Sequence, residues 1–102
     1  MKMAKIIVTY DQSKDQEGFD KHYHEVHVPL VQKVPNLIGA EVHRVLQTMY
    51  TEEKLYLIAQ LQFENPEVLM QSLATPEFQE VQGDVKNLVT YLNKPPVVAI
   101  MD

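Results

Sequence analysis

The chain has 102 residues, 45% of them apolar and 23% charged, ordinary values for one globular domain over residues 1–102 and too few residues for two. Nine lysines and arginines against fourteen acidic residues give a net charge of −5 with no basic cluster, which argues against nucleic acid as a partner. The absence of cysteine excludes a disulfide, a thiolate nucleophile and an iron–sulfur site, and no apolar run approaches the roughly 20 residues that span a bilayer.

Met1-Lys2-Met3-Ala4-Lys5 leads straight into a strand-like segment and lacks the long apolar stretch of a signal peptide, so a cytoplasmic setting is expected. Lys5 to Tyr10 alternates and is rich in β-branched residues, which predicts the first strand. A polar turn follows, with Ser13 or Asp15 available to cap a helix. From Gln16 to Val34 the period becomes helical: Phe19, Tyr23, Val26, Leu30 and Val34 form one stripe. Pro29 removes an amide donor and crowds the carbonyl of Glu25, predicting a kink near Val26 to Val28, and Pro35-Asn36 ends the element. Ile38 to Gln47 and Leu55 to Phe63 read as two further strands joined by a loop. Asn65-Pro66-Glu67 and Thr75-Pro76-Glu77 each combine a capping residue, a proline at the first helical position and an acid beside the positive dipole end. The second of these helices aligns Phe78, Val81, Val85, Leu88 and Leu92, with Gly83 as a weak spot, and Val97 to Met101 is the last strand. The acidic residues of Glu52-Glu53 and of the stretch from Glu77 to Asp84 read as solvated surface.

The order is β-α-β-β-α-β with the second helical region in two pieces, an α+β, ferredoxin-like arrangement in which a four-stranded antiparallel sheet carries its helices on one face. Leu55, Leu57, Ala59, Leu61 and Phe63 suit the covered face, with Tyr56, Ile58, Gln60 and Gln62 on the other. Ile7 in the first strand and the alternate residues of Val97 to Met101 add apolar surface to that second face, for which no helices remain. A bare face of this kind marks an interface, so a homodimer is expected, two sheets closing face to face into an α/β barrel.

Chemistry is expected at the first helix, where His22, His24 and His27 fall within six residues. On a helical wheel His27 borders the apolar stripe beside Tyr23 and Leu30, whereas His22 and His24 are expected at the surface and Glu25 on the far side. Glu25 is poorly placed to orient His27, and a carbonyl freed by Pro29 is available to fix its tautomer instead. A buried structural histidine is the competing explanation for His27. Tyr10 is placed to line the mouth of the same groove, and Arg44, between Val42 and Leu46, is either a snorkelling edge residue or a ligand-facing charge. His43 lies on the same strand with Glu41 and Val45 on the other side. No third ligand joins His24 and His27 at a metal-binding spacing, and the three glycines form no phosphate loop, so neither metal nor cofactor is expected.

Phe19, Tyr23, His27, Pro29 and Leu30 stand as F-x-x-x-Y-x-x-x-H-x-P-L, followed by Pro35-Asn36-Leu37. This pattern resembles the EthD family of dimeric α/β-barrel proteins, and the likeness continues through Val42 to Leu46, Tyr56 to Ala59, Phe63 and Asp84 to Asn87. Asn36 stands where the family usually has glycine, and asparagine also tolerates a left-handed backbone. The resemblance implies the fold and the dimer. The family takes its name from ether-degradation gene clusters, and the wider superfamily includes cofactor-free monooxygenases, lactone isomerases and polyketide-tailoring dehydratases. Two readings follow. In the first, the protein binds an apolar, oxygenated small molecule and acts as a cofactor-independent oxidoreductase or proton-transfer enzyme. His27 is then a general base or hydrogen-bond donor, Tyr23 orients substrate or stabilises a developing oxyanion, and Tyr10, Phe19, Leu30, His43, Arg44 and Tyr56 contact substrate. In the second it is a non-catalytic ligand-binding or accessory dimer that supports a partner oxygenase. A third option, haem ligation by His27, is suggested by barrel relatives that use a helix histidine in this way.

Overall fold

Alternation in the strands and capped starts in the helices produce the elements seen in a computed structural model, which describes residues 3–102. Strand β1 (Ala4–Asp11) is followed by α1 (Gln16–His22), a π-turn (Tyr23–His27), α2 (Val28–Gln32), β2 (Leu37–Arg44) and β3 (Leu55–Phe63). Then come α3 (Pro66–Leu73), α4 (Pro76–Val89) and β4 (Val97–Met101). The strands form one antiparallel sheet in the order β2-β3-β1-β4, the ferredoxin-like arrangement. Asp15 caps α1 by accepting from Gly18 N, Asn65 caps α3 through Val68 N, and Thr75 caps α4 through Phe78 N. Asn36 takes the left-handed backbone, φ 69°, that the turn into β2 requires.

Two packed clusters fill the space between sheet and helices. Ile6, Leu61 and Phe63 of the sheet meet Leu69, Phe78 and Val81, while Tyr10, Leu57 and Ala59 meet Phe19, Tyr23 and Leu88. Val8 packs against both. Burying each of the larger side chains contributes about 1.5–3 kcal/mol.

Three expectations are corrected. The helix expected to run from Gln16 to Val34 with a kink near Val26 to Val28 is instead split by one wide turn, in which Val28 N–H donates to Tyr23 O, five residues back. Pro29 has no N–H for the carbonyl of Glu25 and its ring crowds that carbonyl, so the chain widens one turn earlier. The second strand ends at Arg44 rather than Gln47. Arg44 pairs with Leu57 and Val45 N–H still reaches Tyr56 O at 2.8 Å, but β3 begins at Leu55 and leaves no partner beyond. Tyr56 is on the helix side, not the open face. The β1–β3 register slips between Tyr10 and Asp11, so that Leu57 faces Tyr10 and Leu55 faces Asp11. The extra residue, Tyr56, turns towards α1 and packs edge-on against Phe19.

On the open face the register aligns His43, Ile58, Thr9 and Val97 in one row and Glu41, Gln60, Ile7 and Ala99 in the next. No helix of the described residues is long and apolar enough to cross a membrane.

Candidate functional site

The π-turn decides where the histidines go. Tyr23 and His27 are both buried within it, their rings stacked 5.4 Å apart, and Tyr10 from β1 packs edge-on against Tyr23 at 5.5 Å. These three side chains line a cavity of about 200 Å³ between sheet and helices. Its floor is the row Val42, Ala59, Val8 and Val98, which crosses all four strands in register. Ala59, a member of the second cluster, is the small residue of that row, beside Val8, which packs against both clusters. Phe78, Val81 and Val85 of α4 complete an apolar lining, and the exposed Gln32, Glu41 and Gln82 mark where it opens. Among the described residues no lysine or arginine lines it.

Behind His27 stands Asp84 of α4, 5% exposed. Its Oδ2 lies 2.9 Å from His27 Nδ1, and its Oδ1 lies 2.7 Å from His22 Nε2 and 2.9 Å from Asn87 Nδ2. Burial raises the Asp84 pKa, but the hydrogen bonds from Asn87, His22 and His27 outweigh it and hold the carboxyl below its ordinary value. An ionised carboxylate has no proton to give, so His27 Nδ1 must carry the hydrogen and its Nε2 presents a lone pair. Burial lowers the pKa of His27 against the pull of Asp84, which favours the neutral ring with its lone pair free.

Tyr10, Tyr23 and His27 are 1%, 2% and 4% exposed. Neither tyrosine hydroxyl nor His27 Nε2 has a hydrogen-bond partner among the described residues. Burial, with the charges of Tyr23 and Asp84 nearby, pushes the Tyr10 hydroxyl up, and burial pushes Tyr23 up to about 12. Both therefore remain protonated donors. The arrangement offers one base and two neutral donors to a ligand in an apolar chamber.

The other candidates lie elsewhere. Phe19 is fully buried in the aromatic cluster, stacked on Tyr23. Leu30 is half-buried against the Ile6 cluster. Tyr56 donates to both carboxylate oxygens of Asp20 at 2.8 Å, and the exposed Arg44 sits over its ring at 5.8 Å. His43 is exposed beside Glu41, 3.3 Å away. None of these five lines the cavity. His24 and Glu25 are exposed as expected, but His22 is half-buried on Asp84 rather than at the surface. Asp84 is likewise buried rather than part of a solvated acidic stretch, and it, not a carbonyl freed by Pro29, fixes the His27 tautomer. One signal was available: Asp84 falls between Val81 and Leu88 at helical spacing, on the apolar face of α4. Among the described residues no group of three or more His, Asp or Glu is disposed to hold a metal ion.

Fold and cavity define the class: a ferredoxin-like α+β protein with a histidine–carboxylate pair behind an apolar cavity that opens at one side. Residues 11–90 match the EthD domain, and the chain belongs to the EthD family. It is 32% identical over 88 residues, 86% of this chain and 85% of the relative, to an uncharacterised 11.0 kDa protein from the thcB-thcC intergenic region of Rhodococcus erythropolis. It superposes with TM-score 0.82 and 30% identity on an EthD family protein of Bacillus halodurans, over 99% of this chain and 98% of that one. Two more distant structures share the fold: a dimeric ferredoxin-like protein of unknown function from Jannaschia (TM-score 0.72, 15% identity, 99% of both chains) and the cofactor-independent oxygenase SnoaB of Streptomyces nogalater (TM-score 0.69, 8% identity, 100% of this chain and 93% of that one).

Proposed function

We propose that the protein is a cofactor-independent enzyme that removes a proton from a neutral, apolar, oxygenated small molecule held in this cavity. One observation carries the reading: three buried residues, Tyr10, Tyr23 and His27, line the same apolar cavity, and neither tyrosine hydroxyl nor His27 Nε2 has a hydrogen-bond partner among the described residues. Polar groups that converge on an apolar cavity without protein partners are free to meet a ligand, and their clustering supports a ligand site. His27 Nε2 takes the proton from a C–H beside a carbonyl, or from a phenolic O–H, and the imidazolium that forms pairs with Asp84. The oxygen that gains the charge accepts hydrogen bonds from Tyr10 and Tyr23. The anion is then reprotonated at another carbon, expels a hydroxyl group as water, or reacts with dissolved dioxygen. A lining without cations, backed by a buried carboxylate, disfavours substrates that arrive as carboxylates or phosphates.

The reading includes a homodimer joined through the open sheet face, whose rows place Ile7, Ile58, Val97 and Ala99 among polar neighbours. The dimeric Jannaschia protein of the same fold supports it. An Ile7→Lys variant is expected to sediment as a monomer where the wild type sediments as a dimer, and a monomeric wild type ends this part of the reading.

The test of the chemistry needs no prior substrate. A panel of enolisable ketones and phenols is incubated with the protein in D₂O, and loss of exchangeable C–H signals is followed by NMR. The wild type is expected to accelerate exchange of at least one member, and a folded His27→Ala variant to lose that acceleration. Equal rates in both proteins remove His27 as the base. Saturable binding without exchange favours the accessory-carrier reading.

A further inference from the structure

Asp84 serves two imidazoles, and the proposed base uses only one. His22 Nε2 lies 2.7 Å from Oδ1, the shorter of the two histidine contacts, and its side chain is 19% exposed against 5% for His27. His22 is therefore the end of the cluster that meets solvent. Its ring also lies 6.1 Å from that of Tyr91. We infer that His22 is a positioning residue that sets the basicity of His27 through their shared carboxylate: Asp84 carries one negative charge between two imidazoles, so a proton on His22 disfavours a proton on His27.

The groups packed around the carboxylate leave it few other partners. From α4 itself Asn87 donates without charge, and Lys86 is exposed and makes no ion pair with Asp84. From β1 comes the neutral Tyr10 hydroxyl, and from the π-turn the neutral Tyr23. Among the described residues no lysine or arginine pairs with Asp84. The negative charge behind His27 is thus shared with His22 alone. When His22 is neutral, its Nε2–H still orients the carboxylate, and the full charge faces His27. When His22 is protonated, the carboxylate is already neutralised and His27 loses the partner that makes it basic. Both rings hydrogen-bond the same carboxylate, which is what couples them.

The inference rests on the proposed base for its catalytic meaning, but its test does not. Histidine-labelled protein is titrated by NMR without ligand, and the ring signals of His22 and His27 are followed. In the wild type each ring is expected to show two inflections, one for each proton of the pair. In His22→Gln, whose side-chain amide keeps an N–H for Asp84 but carries no charge, His27 is expected to titrate in one step, about one unit or more higher. A His27 midpoint unmoved in His22→Gln, or single independent inflections in the wild type, overturns the inference. The wild-type curve alone decides the matter if the variant does not fold. Failure here leaves the exchange assay standing, and failure of that assay leaves the paired titration intact.

Discussion

Replacing Asp84 tests the site most directly. Its carboxylate receives three N–H donors at 2.7–2.9 Å while almost fully buried. Hydrogen bonds to a charged acceptor contribute about 1.5–3 kcal/mol each, against about 0.5–1.5 for neutral ones. Asp84→Asn weakens three such bonds by about 1 kcal/mol apiece, and the relief of a buried charge returns part of that loss, so a destabilisation of about 1–3 kcal/mol is expected. Asp84→Ala strands two imidazole N–H groups and costs more, about 3–5 kcal/mol. Urea unfolding measures both, and the order Ala below Asn below wild type is the signature. Asp84→Asn also reverses the hydrogen bond to His27. The amide N–H can donate to Nδ1, moving the ring proton to Nε2 and abolishing the lone pair towards the cavity, which ¹⁵N chemical shifts report. The wild type should lose stability in acid in two stages. His27 and Asp84 both have lowered folded pKa values, so each contributes stability that is present above its unfolded pKa and lost as pH falls through its folded pKa. The first stage begins below the ordinary imidazole value near 6.5 and the second below the ordinary carboxylate value near 3.9. If Asp84→Ala unfolds within about 0.5 kcal/mol of the wild type, as surface substitutions do, the buried cluster is not a structural unit and the reasoning fails.

Two glycines should respond in opposite directions. Gly18→Ala places a Cβ 2.5 Å from the Asp15 carboxylate that caps α1 and 2.8 Å from Tyr91, so a loss of about 1–2 kcal/mol is expected in urea. Gly83→Ala meets nothing within 4 Å on the exposed side of α4 and should stabilise by about 0.4–1 kcal/mol. Ala59→Leu, on the cavity floor, should abolish binding of an apolar fluorescent probe in a protein that still folds, and unchanged probe affinity would show that the ligand does not enter the chamber. Tyr56→Phe removes a hydroxyl held by both oxygens of Asp20 and should cost about 1–2 kcal/mol by the same unfolding measurement.

Much of this architecture was legible in order along the chain. The β3 and β4 spans, both proline-initiated helices and the left-handed Asn36 follow from short-range rules of period, capping and steric tolerance, which a few neighbouring residues contain. The motif around Tyr23 and His27 pointed to the family and to the helix that matters. The limits appear wherever two distant segments must agree. Tyr56 changes sides because of a register slip against β1, and alternation within β3 alone cannot report a slip.

Asp84 shows the same division. Its place on the apolar stripe of α4 could be read from spacing, yet spacing does not separate a buried carboxylate from a charge at the stripe's edge. What ties it to the proposed site is contact with His22 and His27, 62 and 57 residues away, and those contacts exist only once α4 packs across the π-turn. By itself the sequence determined the elements, the family and the histidine to examine. Tertiary structure alone decided which carboxylate stands behind that histidine, which tautomer it holds and what space it faces. Electrostatics in a dry interior depends on through-space distance, which local pattern does not encode.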